Sequence, residues 1–235
     1  MTTATQNLLP GTEIALEALP KVSLHDHLDG GLRPATIVEL AAEIGYELPA
    51  GATDAESLGQ WFATQANSGS LVQYLTTFDV TIAVMQTRDA LVRVAREFVE
   101  DLAADGVVWG EIRWAPEQHL QRGLSLDEAV EAVQQGLDEG VEAARGAGTS
   151  IRVGQLVSAM RHADRGLEIA QLALRHRDTG TVGFDIAGAE AGFPPSRLRD
   201  AFELLADEFF PVTIHAGEAD GIESIRVGQL VSAMR

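Results

Sequence analysis

Five short apolar runs rich in β-branched residues punctuate the chain, at residues 21–25, 107–113, 151–158, 182–186 and 212–215, and their pattern predicts strands. Between them, apolar positions fall three and four apart over 34–45, 71–85, 89–104, 127–145, 166–176 and 196–207, which predicts helices. The first of these opens with Pro34 and closes at Gly45, a helix-start and a helix-stop residue. Runs such as Val107-Val108-Trp109 are apolar on consecutive residues, as expected for strands covered on both faces. Strands joined by long helical crossovers predict a parallel sheet wrapped in helices, an α/β fold. The first twelve residues, MTTATQNLLPGT, have no face to bury and read as a loose arm, with organised structure from Glu13.

Two parallel architectures compete. An open nucleotide-binding sheet usually carries a glycine-rich turn after its first strand, and here His25-Asp26-His27 stands in that place. Polar groups at the ends of several different strands favour the closed (β/α)₈ barrel. Such a barrel needs eight strands in roughly 250 residues, and five are legible, so the expectation is a barrel truncated after its fifth strand. Residues 150–161 read SIRVGQLVSAMR, and residues 224–235 read the same letters again. Solenoid repeats diverge and recur at short periods, so the expected organisation is a barrel over 13–223 followed by a duplicate of the third strand at 224–235 that is not its native continuation.

Charge and composition narrow the chemistry. Lys and Arg number 17 against 35 Asp and Glu, a net charge of −18, which disfavours nucleic acid and anionic membrane as partners. There is no cysteine, which excludes disulfides, thiolate metal sites and cysteine nucleophiles. No basic residue precedes Lys21 and no apolar run is long enough to span a bilayer, so a cytoplasmic location is expected.

Side chains alternate along a strand, so His25 and His27 project to one side and could share a cation; two buried hydrogen-bonded histidines would give the same spacing. His215 closes the fifth apolar run, and Glu218 follows on a loop that Gly217 can turn back toward the sheet edge. A third ligand and an acid/base group would fit there, as would a plain strand-end histidine before a helix-start carboxylate. His119, His162 and His176 lack such company and read as structural. Glu111, Arg113, Arg161 and Asp185 read as an ion-pair network beneath the site, while Gly188 would let a flat ligand approach the backbone.

Taken together, LPKVSLHDHLDG at 19–30, DIAGAE at 185–190 and TIHAGE at 213–218 closely resemble the motifs of the adenosine deaminase family, with EIRWAP at 111–116 and MRH at 160–162 in the family's order. The resemblance implies a zinc-dependent (β/α)₈ barrel that hydrolyses the 6-amino group of adenosine or deoxyadenosine. It implies one zinc on His25, His27 and His215, with Glu218 as proton donor, its pKa raised by burial. Asp29 and Gly188, with His27 nearby, would contact a purine nucleoside. The family's later His-Gly and Asp-Asp motifs do not occur in these residues, and no histidine follows His215. Residues 1–235 alone are therefore expected to show no measurable deamination and to aggregate or depend on a partner chain. Other readings are a deaminase of adenine or another aminopurine, and a barrel fragment that acts only in binding or assembly. Two-metal amidohydrolases that begin with the same histidine pair use a modified lysine, and the single lysine here, Lys21, lies upstream of it.

Overall fold

A computed structural model describes residues 8–232. Its centre is one sheet of four parallel strands, β1 Lys21–His27, β2 Val107–Trp114, β3 Arg152–Met160 and β4 Thr181–Ala187, hydrogen-bonded in chain order. Ile112 and Trp114 of β2 and Val157 of β3, the inner strands, and Phe184 and Ile186 of β4 are at or near zero exposure. This is the parallel α/β arrangement expected.

The fifth run differs from expectation. Val212 makes a single parallel bridge to Phe184. Thr213 donates its N–H to Phe184 O at 2.8 Å and His215 to Ile186 O at 3.3 Å. The segment runs along β4 in parallel register, but among the described residues only its β4 side is paired, so it forms a bridge rather than a fifth strand.

Helices make the crossovers. Between β1 and β2 lie α1 Pro34–Ile44, α2 Ala55–Ala66, α3 Leu71–Leu75, α4 Thr77–Val84 and α5 Arg88–Ala104. Helix α1 ends where Gly45 takes the left-handed conformation, φ 68°, and its N–H reaches back to Ala41 and Ala42. Helix α2 was not legible as an apolar stripe; a reciprocal Asp54–Ser57 capping box starts it. The helix expected over 71–85 is split, because the hydroxyls of Thr76 and Thr77 bond back to Gln73 O and Tyr74 O, both at 2.7 Å, at the break. The remaining crossovers are α6 Leu126–Gly146, α7 Gly166–Arg175 and α8 Arg199–Asp207.

Residues 224–232 lie in a last helix, α9 Gly221–Ser232, which places Val231 in the core. Residues 233–235 of the duplicate, and 1–7 of the expected arm, fall outside the described residues. The rest of that arm enters a small turn in which Leu8 bridges Ala15. No helix among the described residues is long and apolar enough to cross a membrane.

Candidate active site

The alternation of β1 carries His25 and His27 to the same side, and His215 arrives from the fifth run. Nε2 of His215 stands 2.9 Å from Nε2 of His25 and 3.1 Å from Nε2 of His27. The three rings thus turn one nitrogen each toward a common point. Nitrogens at roughly 2.0–2.1 Å from a tetrahedral zinc lie roughly 3.3 Å from one another, close to these separations. Neutral imidazole is the ligand form. Burial, with Arg113 the next cause, lowers the pKa of His25. Burial, reinforced by His215, takes His27 to about 4.

Behind His215 lies a residue whose role its position inside the fourth apolar run concealed. Asp185 is fully buried and places a carboxylate oxygen 3.0 Å from Nδ1 of His215, which also lies 2.9 Å from Ile186 O. These acceptors fix the proton on Nδ1 and leave Nε2 as the donor atom toward the cluster. Burial works against the ionised imidazole, but the bond to Asp185 and its charge raise His215 overall. Desolvation likewise opposes the Asp185 carboxylate, and His215, Arg113 and Thr213 hold it below its ordinary range.

The expected four-residue ion-pair network reduces to one pair, Arg113 with Asp185 at 3.5 Å. Glu111 accepts from Trp109 Nε1 instead. Arg161 is buried and donates to the backbone oxygen of His215, while its Nε and Nη1 have no hydrogen-bond partner among the described residues. Its strand-end position places it against the backbone of the fifth run, where it forms no salt bridge among the described residues but lies in the field of Glu190 and Asp185.

The histidines open onto a cavity of about 490 Å³. Leu71, Leu75, Phe78 and Ile82, from α3 and α4, with Trp114 and Met160 give it apolar walls, and Asp29, Gly188 and Glu218 also line it. Every site residue expected from the sequence therefore meets in one space. Asp29 is buried; Ala115 N–H donates to its Oδ2 at 3.2 Å, and its Oδ1, 3.9 Å from His27 Nδ1, has no hydrogen-bond partner among the described residues. Desolvation raises its pKa to about 6. Gly188 has φ +95°, and a Cβ there would stand 2.8 Å from Met160 Cε. Glu218 is exposed, contrary to the burial expected of it, because nothing among the described residues covers the 217–220 loop.

His162, expected to be structural, also lines the cavity, beside Gly188. His119 and His176 are structural as expected: the first is buried with Nδ1 3.0 Å from Met85 O, and the second pairs with Asp127 at 2.8 Å. Glu190, unremarked in the sequence beyond its place after Gly188, is buried beneath the 217–220 loop and accepts three of its N–H groups.

The family model for adenosine deaminase matches residues 20–231. Adenosine deaminase 1 of Streptomyces coelicolor is 66% identical over 207 residues, which are 88% of this chain and 52% of that protein, so the chain spans about half its relative's length. Among solved structures, the Arabidopsis N6-mAMP deaminase superposes with a TM-score of 0.77 at 31% identity, over 92% of this chain and 64% of that one. A Burkholderia ambifaria amidohydrolase with bound Zn superposes at 0.70 and 28% identity, over 88% and 56% of the two chains. With the histidine cluster, the cavity and the four-stranded parallel sheet in place, the chain belongs to the adenosine deaminase family.

Proposed function

We propose that this is the site of a zinc-dependent hydrolase that converts adenosine or deoxyadenosine, with water, to the 6-oxo nucleoside and ammonia, and that these residues carry its metal- and purine-binding part. The observation that carries the reading is the convergence of three imidazole Nε2 atoms in the same cavity as Asp29, Gly188 and Glu218. His25, His27 and His215 would hold the metal, with Asp185 orienting His215. Zinc bound there would supply Lewis acidity, which makes water a nucleophile near neutral pH.

The protein's own groups have separate tasks. The apolar walls hold the purine and exclude bulk water around it. The backbone at Gly188 lets the flat ring approach, and Asp29 Oδ1, which accepts no hydrogen bond among the described residues, is placed to accept from a sugar hydroxyl, which favours a nucleoside over free adenine. Glu218 would hold the proton for the ring nitrogen beside the amino-bearing carbon, so that negative charge does not build there as aromaticity breaks. Among the described residues neither Lys nor Arg lines the cavity, and Asp79 adds a further carboxylate, so a nucleoside suits it better than a phosphorylated nucleotide.

Elemental analysis and equilibrium dialysis test the reading. The protein is expected to hold one zinc per chain and to bind adenosine, and His25→Ala is expected to lose most of the zinc, since two imidazoles do not close a mononuclear site. Unchanged zinc in that variant would move the metal elsewhere. Turnover by residues 1–235 is expected to be immeasurable without the family's further histidine and aspartates; ordinary turnover would show these groups to be dispensable. In a protein extended to its relatives' length, Glu218→Gln is expected to keep zinc and lower turnover by roughly 10²–10⁴.

A further inference from the structure

Beneath the exposed Glu218 lies a second glutamate. Glu190 follows Gly188 on the loop after β4 and is 2% exposed. Its Oε1 accepts from Gly217 N–H at 2.6 Å and from the Ser224 hydroxyl. Its Oε2 accepts from Ala219 N–H at 2.5 Å and from Asp220 N–H at 3.1 Å. A carboxylate has about four acceptor positions, and all four are filled. Burial alone would push the group up, but Ser224 and the amides of Ala219, Gly217 and Asp220 hold it at about 2.

The amides of Gly217 and Ala219 flank Glu218 on either side. We infer that Glu190 is a positioning residue that clamps the backbone on both sides of Glu218 and so aims the proton donor at the purine ring. The inference rests on the role proposed above for Glu218. The clamp supplies what burial does not: an exposed side chain on a glycine-bearing loop would sample many directions, whereas three anchored N–H groups in four consecutive residues leave only its own rotamers free. Gly217 itself has φ +86°, and a Cβ there would stand 2.6 Å from Ile225 Cδ1, so the turn is held from the helix side as well.

The test isolates the contact that Glu218 makes. Binding of adenosine and of 1-deazaadenosine, which has carbon in place of the ring nitrogen beside the amino-bearing carbon, is measured on the zinc-loaded chain by equilibrium dialysis. The intact protein is expected to prefer adenosine by roughly ten- to hundredfold, the range for leaving a donor covered by the ring without its acceptor. Glu218→Ala is expected to abolish the preference. Glu190→Gln is nearly isosteric, but its amide –NH₂ must face two N–H donors, and it is expected to abolish most of the preference while leaving zinc content and 1-deazaadenosine binding as they were. Full preference in Glu190→Gln, with none in Glu218→Ala, overturns the inference and leaves the proposed function standing. No preference in the intact protein overturns the role of Glu218 and the inference with it. Loss of zinc and of both ligands in Glu190→Gln would make Glu190 a general scaffold residue, which also overturns the inference. Should that variant not fold, Ser224→Ala removes one donor only; a fall of a few-fold in preference supports the clamp, and no change overturns it.

Discussion

The twelve letters SIRVGQLVSAMR occur twice, and the two copies take different structures. In the first, β3 is laddered to β2 on one side and β4 on the other, and residues 154–159 are buried without a break. In the second, residues 224–232 belong to α9, where Ser224, Gly228 and Val231 are buried and Val227 partly so. Those positions are i, i+3, i+4 and i+7, one helical stripe. Leu156 is 3% exposed in the strand and its counterpart Leu230 is 62% exposed in the helix. The sequence satisfies both periods: consecutive apolar residues suit a strand between two neighbours, and a small-and-branched stripe suits a helix packed on one side. Position decides between them. The second copy begins nine residues after His215, too soon for the dozen or more residues that a parallel crossover needs, and Glu190 takes its first serine into the loop clamp. Propensity is a weak prior beside such constraints.

Matched substitutions separate the two contexts. The largest difference is expected at the leucines: Leu156→Ala should lower unfolding stability by about 2–5 kcal/mol, whereas Leu230→Ala should stay within about 0.5 kcal/mol, both read from denaturant melts. Equal effects would mean that the second copy is packed like the first. The serines should differ in the opposite sense. Ser224→Ala removes a donor from a buried carboxylate and is expected to cost about 1–3 kcal/mol of local stability, seen as faster exchange of the 217–220 amides, while Ser150→Ala, at an exposed position, should leave exchange in β3 unchanged. The last difference is read against pH. Glu190 ionises at about 2 in the folded protein against an ordinary 4.5, so the clamp contributes fully above pH 4.5 and is lost as pH falls toward 2. Across that window the 217–220 amides, corrected for intrinsic exchange, should lose protection before those of β3 do; simultaneous loss would show that the clamp is not a separate unit.

What the sequence disclosed depends on where its signals are local. The strand ends with their histidines were legible because period-two alternation and β-branched runs need no knowledge of neighbours. Gly45 was legible as a helix stop for the same reason. Other features depend on what packs where. Asp185 reads as one polar residue in an apolar run until His215 is seen beside it. Glu190 reads as the residue after a glycine loop until three amides from the fifth connection are seen to meet it. Helix α2 was missed because its start lies in a capping box rather than in an apolar stripe. The helical state of residues 224–232 could not be read from letters that also spell a strand.

The histidine cluster has a mechanical consequence. His25 and His27 stand on β1, one flank of the sheet, and His215 stands beside β4 on the other. Four inter-strand steps of about 4.8 Å would put these flanks about 19 Å apart in a flat sheet, beyond the reach of two imidazoles. They meet at 2.9 Å because the sheet is curled, and a cation at that point would fasten its flanks together like a clasp across 190 residues of chain. Ion binding and curvature are then one equilibrium. Free zinc at a hundred times its dissociation constant should add about 2.7 kcal/mol to folding, and chelation should release the curl along with the ion.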